Sequence, residues 1–202
     1  MVARFATQIR WDDVCGDTLQ EKVINLTPEE FGNRFTGFLR SGARLQIGDI
    51  KITPCPFDPV KFIGKNWSLI PEEHDTRCDA LTEVDFGKVQ FETCLKEDET
   101  LIIKGEEKLT RLKAGRDIRL GATVFMGLWE DYQKNKENST LENLYKEKSI
   151  AYLDFFGDVL LRPHGDRHVL YLYRNDDGQW SWVYNWLERD WGAHDRSASL
   201  AS

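Results

Sequence analysis

The shortages in this sequence narrow it first. It holds four cysteines in 202 residues, Cys15, Cys55, Cys78 and Cys94, and no two of them form a CxxC pair. Small disulfide scaffolds pack cysteines far more densely, and structural zinc sites usually draw two ligands from one tight turn. Four separate, mostly buried thiols are expected, and spacing does not choose among the pairings of a disulfide alternative. No stretch approaches the ~20 apolar residues of a membrane span. The first residues, MVARFATQIRWDD, lack the apolar core of a secretory leader. A cytoplasmic location away from the membrane is expected. There is no GxSxG elbow, phosphate loop, dinucleotide glycine motif or HExxH pattern. The glycines of Gly32-Asn33-Arg34-Phe35-Thr36-Gly37 fall inside a helical pattern and cradle no phosphate. No cofactor is implied.

Positive charge is also in short supply. Thirty-four acidic residues face 27 Lys and Arg, a net charge of −7. That balance repels phosphate backbones and disfavours non-specific nucleic-acid binding. Hydrophobic residues at 41% and charged residues at 30% are ordinary globular usage. The length suits one domain over 1–202, with a subdivision near 96–116 as the alternative, although no linker composition marks it.

Helix signals are plain. Thr27-Pro28-Glu29-Glu30 is a capping box with proline in the first turn. Phe31, Phe35, Phe38 and Leu39 then make one apolar face, predicting a helix near 28–40. Arg44–Ile47 and Ile50–Thr53 alternate around Gly48-Asp49 as a hairpin. Asp58-Pro59 caps a short helix ending at Gly64. Residues 66–70 and 86–95 read as strands. Glu106–Lys113 reads as a helix bounded by Gly105 and Gly115. Leu120, Val124, Phe125, Leu128, Trp129 and Tyr132 define another helix. Within it Gly121 and Gly127 each cost about 1 kcal/mol relative to alanine, leaving room for a close neighbour. Ser139-Thr140-Leu141-Glu142 is a second capping box, starting a helix to about Lys148.

The last quarter changes period. Residues 151–156, 159–162, 168–173 and 180–187 read as strands of an antiparallel meander, separated by turn chemistry at Gly157-Asp158, at 163–166 and at 175–178. A four-residue loop over 175–178 would set Tyr173 opposite Trp180, Tyr171 opposite Trp182 and Val169 opposite Tyr184. One sheet face would then gather Tyr171, Tyr173, Trp180, Trp182, Tyr184 and Trp186. Such a face is either core, packed on the Trp129 helix, or a platform that stacks on a ligand.

Two groupings invite catalytic readings. His164 and His168 flank a turn with Asp166 between them, and two imidazoles with a carboxylate can hold a metal or exchange protons. Glu188 and neighbouring carboxylates near His194 could add acid–base chemistry. Against this, the spacing matches no established metal signature, and a solvated turn accounts for the same residues. His74, Asp75 and Cys78 form a weaker ligand trio of the same kind.

The stretches IKGEEKLTRLK, FMGLWE, GDVLLRPHGDRHVLYLYR and RSASLAS resemble bacterial proteins of uncharacterised function, over about half the chain. The resemblance implies that the final residues are native and carries over no activity and no functional residue. The sequence therefore predicts an α+β protein whose C-terminal meander packs on three or four amphipathic helices. Its expected function is that of a non-catalytic binding or interaction module using the aromatic sheet. The alternative is a small metal-dependent or acid–base hydrolase centred on His164, Asp166 and His168. A homodimer through an aromatic or Phe-rich helix face is a third arrangement.

Overall fold

A computed structural model describes residues 27, 51–96 and 101–202. The chain divides into two compact units, Met1–Gly48 and Asp49–Ser202. All but one of the described residues belong to the second. The predicted helix at 28–40 and the first arm of the hairpin at 44–47 lie outside the described residues, as does Cys15.

The second unit is α+β. Its strands are β1 (Lys51–Ile52), β2 (Ser68–Leu69), β3 (Val84–Asp85), β4 (Val89–Glu92), β5 (Ile102–Lys104), β6 (Ile118–Arg119), β7 (Tyr152–Leu161), β8 (Arg167–Arg174), β9 (Trp180–Trp186), β10 (Asp190–Gly192) and β11 (Arg196–Leu200). Its helices are α1 (Pro59–Phe62), α2 (Gly105–Ala114), α3 (Ala122–Asn135) and α4 (Thr140–Lys148). The main sheet runs β4-β11-β7-β8-β9, with β2 added to β7 and β6 to β11. Every pairing in it is antiparallel except β11 with β7. β1 pairs with β3, and β10 with β5, as two small separate ladders.

Local chemistry explains the helix boundaries. Asp58 accepts the Val60 and Lys61 amides and Pro59 opens α1. Ser139 accepts the Glu142 amide at 3.3 Å, so α4 starts on its capping box. Gly115 closes α2, its amide reaching the carbonyls of Arg111 and Leu112. Helix α3 is capped from outside itself: Asp158 of β7 accepts the Ala122 amide at 2.7 Å, placing a carboxylate at the positive end of the helix.

Helices cover both faces of the sheet. On one side Val124, Phe125 and Leu128 of α3 and Leu141 and Leu144 of α4 pack against Leu153, Phe155, Leu170 and Leu172. On the other, Leu109 and Leu112 of α2 pack with Phe156, Val169, Tyr171 and Trp191. Gly127 lets the Ile52–Thr53 backbone lie against α3: a Cβ there would sit 2.5 Å from the Thr53 carbonyl oxygen. The sequence expectation of a turn at Gly157-Asp158 is corrected. β7 runs through it as one strand with a register shift between Phe155 and Leu160, and that bulge aims Asp158 at α3. The expected alternation also missed β10 and β11.

Candidate functional site

The hairpin β8–β9 carries most of the residues nominated from sequence, and its register differs from the expected one. The ladder extends to Asn175, whose amide donates to the Gln179 carbonyl at 2.7 Å, and the Gly178 amide bonds back to the Asn175 carbonyl. Gly178 has φ +81°, the left-handed conformation that glycine adopts without strain. The loop is thus three residues long, 176–178, and Arg174 faces Trp180 while Tyr171 faces Val183 and Leu172 faces Trp182. An odd loop in place of an even one shifts the register by one residue and exchanges the faces. The single aromatic face is therefore corrected to two. Trp180, Trp182, Tyr184 and Trp186 share one side with His168, Leu170 and Leu172. Tyr171 and Tyr173 share the other with Ser181 and Val183.

Both sides are largely packed. Trp182 lies 4.5 Å from the Phe62 ring and Tyr184 lies 4.4 Å from Trp67, measured between centroids. Trp180 is buried, its amide bonded to the Tyr132 hydroxyl. Tyr171 is buried on the opposite face and donates to Asp195 at 2.8 Å. Burial, reinforced by the Asp195 charge, holds that phenol far above its ordinary pKa. Tyr173 is half-buried beside it. Of the six aromatics, only Trp186 is substantially open, at 46% exposure.

The structure separates the histidines. His164 is exposed at the hairpin turn. His168 is buried against Trp67 and Tyr184, and its Nδ1 lies 3.3 Å from the Asp166 carbonyl. Burial pushes its pKa below the ordinary imidazole value. Asp166 is half-buried and contributes that backbone carbonyl, while Glu188 is exposed. Among the described residues, no three His, Cys, Asp or Glu side chains gather as a metal-binding group.

His74 has partners that sequence spacing concealed. Its Nδ1 lies 2.8 Å from Asp158 and its Nε2 3.1 Å from Asp79. Burial lowers its pKa, but the two carboxylates outweigh that and raise it overall. Asp75 is bound by Arg77 and by the Arg119 amide, which bring its carboxyl down to about 2 against the opposing effect of burial. Cys78 donates to the Arg119 carbonyl at 2.8 Å, and burial pushes its thiol up to about 12. The trio read from sequence as ligands thus joins the 71–80 segment to β6, β7 and α3.

A buried polar chain lies under α2. Lys108 and Asp154 are both completely buried, with Nζ 2.9 Å from Oδ2. The same Nζ donates to the Asp195 carbonyl at 2.7 Å, and the Ser197 hydroxyl donates to the other Asp154 oxygen. The rings of Phe156 and Trp191 have their centroids 5.4 and 5.2 Å from Nζ.

A cleft of about 780 Å³ lies between the end of α3, α4 and the β8–β9 loop. Drug-sized ligands occupy clefts of roughly 300–1,000 Å³. Its organising group is Arg174. Glu142, buried on α4, accepts Arg174 Nε at 3.0 Å and the Trp180 indole N–H at 2.8 Å. The Arg174 guanidinium also lies 4.1 Å from the Tyr145 ring centroid. Two-point fixing of this kind preorganises a guanidinium for planar anions. Nη1 of Arg174 has no hydrogen-bond partner among the described residues. Lys136 and Lys146 line the same cleft, Lys136 lying over the Tyr132 ring and Lys146 tied to the Glu137 carbonyl. Glu137 and Asp177 add exposed carboxylates at the rim. Sequence reading passed over this site because Arg174, Glu142 and Lys136 belong to three elements. The Glu142 of the capping box was the one visible signal.

No protein-family model, no curated protein and no solved structure matches the chain. Among the described residues, no helix is long and apolar enough to cross a membrane.

Proposed function

We propose that the Asp49–Ser202 unit is a binding module whose α3–α4–hairpin cleft takes a small polar ligand bearing a carboxylate or phosphate group. The observation that carries this reading is Arg174, fixed from one side by buried Glu142 and from another by Tyr145, with Nη1 unpaired among the described residues. Glu142 and Arg174 form a pair of no net charge, so Arg174 meets an incoming anion through its directed hydrogen-bond donors, while the Trp180 indole holds Glu142 in place. Lys136 and Lys146 offer cations at the cleft walls, and Glu137 and Asp177 balance them in number, which suits a ligand carrying hydrogen-bond donors beside its anionic group. The aromatic strand β9 contributes through Trp180, which holds Glu142 in place, while Trp182 and Tyr184 pack against the core.

The Trp180 indole N–H reports on the site directly. Its ¹H–¹⁵N resonance, assigned with Trp180→Phe, is expected to shift as phosphate, dicarboxylates and mononucleotides are titrated into the full chain. Arg174→Gln is expected to remove the response. Perturbation of Trp180 by none of these anions at millimolar concentration would refute the reading.

A further inference from the structure

Lys108 and Asp154 are the most deeply enclosed ionisable pair among the described residues, and the anion cleft makes no use of them. Lys108 sits mid-helix on α2, Asp154 mid-strand on β7, and neither exposes any side-chain surface. The pair is held in contact by more than its own attraction. The Asp195 carbonyl takes one Nζ proton and so fixes the direction of the amine. The Ser197 hydroxyl donates to Asp154 Oδ1, the oxygen that Lys108 does not contact, and so polarises the carboxyl group. The Phe156 and Trp191 rings enclose the nitrogen. Burial is the dominant influence on Asp154 and pushes its carboxyl above the ordinary value despite the neighbouring ammonium.

From this geometry we infer that Lys108 and Asp154 form a side-chain amide, a covalent bond joining α2 to β7. The step balances without an outside reagent. The step begins as the ammonium passes a proton to the carboxylate, giving a neutral amine and a neutral acid that leave no charge to desolvate. The Nζ lone pair attacks the Asp154 carbonyl carbon while Ser197 steadies the charge developing on Oδ1. The N–C bond forms, the bond from that carbon to Oδ2 breaks, and the hydroxyl departs with an amine proton as water. The aromatic enclosure excludes the water needed for the reverse reaction. The contact seen is from Nζ to Oδ2, and a small turn of the amine onto the carboxyl carbon brings the reacting atoms together, where effective concentrations of about 10⁵ M or more apply. Lysine and aspartate do not condense in free solution at neutral pH, so the enclosure supplies the driving condition.

The test is the intact mass of the folded, reduced full chain. The bond removes one water, so the protein is expected about 18 Da lighter than its sequence specifies. Fragmentation after proteolysis is expected to show the Lys108 peptide joined to the Asp154 peptide. The Asp177-Gly178 dipeptide can also lose water as a cyclic imide, but mild alkali reopens an imide and leaves the amide intact. Lys108→Ala and Asp154→Ala are each expected at full mass. A wild-type chain at full sequence mass after folding overturns the inference, and so does a water loss that alkali reverses. These outcomes concern α2 and β7 only, and leave the anion-cleft titration to stand or fall separately.

Discussion

Gly127→Ala offers a sharp test of how α3 meets the rest of the unit. On a solvent-facing helix surface the change stabilises by about 1 kcal/mol, because alanine restricts the unfolded chain and suits the helix. At position 127 the new Cβ would lie 2.5 Å from the Thr53 carbonyl oxygen and 2.6 Å from Cγ2 of Ile52. The first of these neighbours is backbone and cannot swing aside. Its segment is pinned at both ends, by the Cys55 amide bonded to the Thr123 carbonyl at 2.9 Å and by Ile52 paired with Val84. Relief therefore requires α3 or β1 to shift within a packed core; overpacking costs about 1–3 kcal/mol, and a backbone contact this short belongs at the upper end, about 2–3 kcal/mol. After the helix gain is subtracted, a net loss of about 1–2 kcal/mol remains. With a urea dependence of about 2 kcal/mol per M, the unfolding midpoint is expected to fall by about 0.5–1 M. Equilibrium unfolding of the full chain, followed by tryptophan fluorescence and circular dichroism together, measures it. Glu130→Ala on the same helix is the control, expected within about 0.5 kcal/mol of wild type. A Gly127→Ala midpoint at or above wild type would refute the close packing of Ile52–Thr53 on α3.

His74 predicts a pH signature. Its folded pKa is raised above the unfolded value of about 6.5, so its pairing with Asp158 and Asp79 stabilises fully below that pH and fades as pH rises through the folded value. The stability difference between wild type and His74→Gln is expected to be larger at pH 6 than at pH 9; a difference that is flat or grows with pH would sink the pairing. Cys78, buried and pushed up to about 12, is expected to resist iodoacetamide at pH 8 in the native protein and to react once the chain is unfolded. Peptide mapping reads this directly, and rapid native alkylation at Cys78 would contradict the burial.

The local signals in the sequence were legible where they concern one element. Ser139 and Glu142 announced α4, Asp58-Pro59 announced α1, and the 3.6-residue stripe from Leu120 to Tyr132 announced α3. Asp158 shows where such reading stops. Beside Gly157 it spells a turn by composition, yet its carboxylate is the cap of a helix 36 positions earlier in the chain. Only the bulge in β7 brings the two together. The hairpin shows a second limit. Turn chemistry at 175–178 marks the connection, but whether the loop holds three or four residues depends on the Asn175–Gln179 backbone bond and on Gly178. That single residue decides which side every tyrosine and tryptophan occupies. Arg174 carries no signal of its own in the sequence. Its pairing with Glu142 joins residues 32 apart that no spacing rule connects.

Strand β11 has a consequence for the order of assembly. It lies between β4 and β7 and also bonds β6, so it forms the seam of the main sheet, yet it is the last described strand in chain order. During synthesis the β7–β8–β9 hairpins can close as they emerge, while β4 and β6 wait without a partner in that sheet. The two halves are joined only when Arg196–Leu200 leave the ribosome. Until then the nascent unit presents two unpaired strand edges, the surface on which chains stick to one another. Truncation before Arg196 would therefore remove the keystone of the sheet and leave an aggregation-prone fragment.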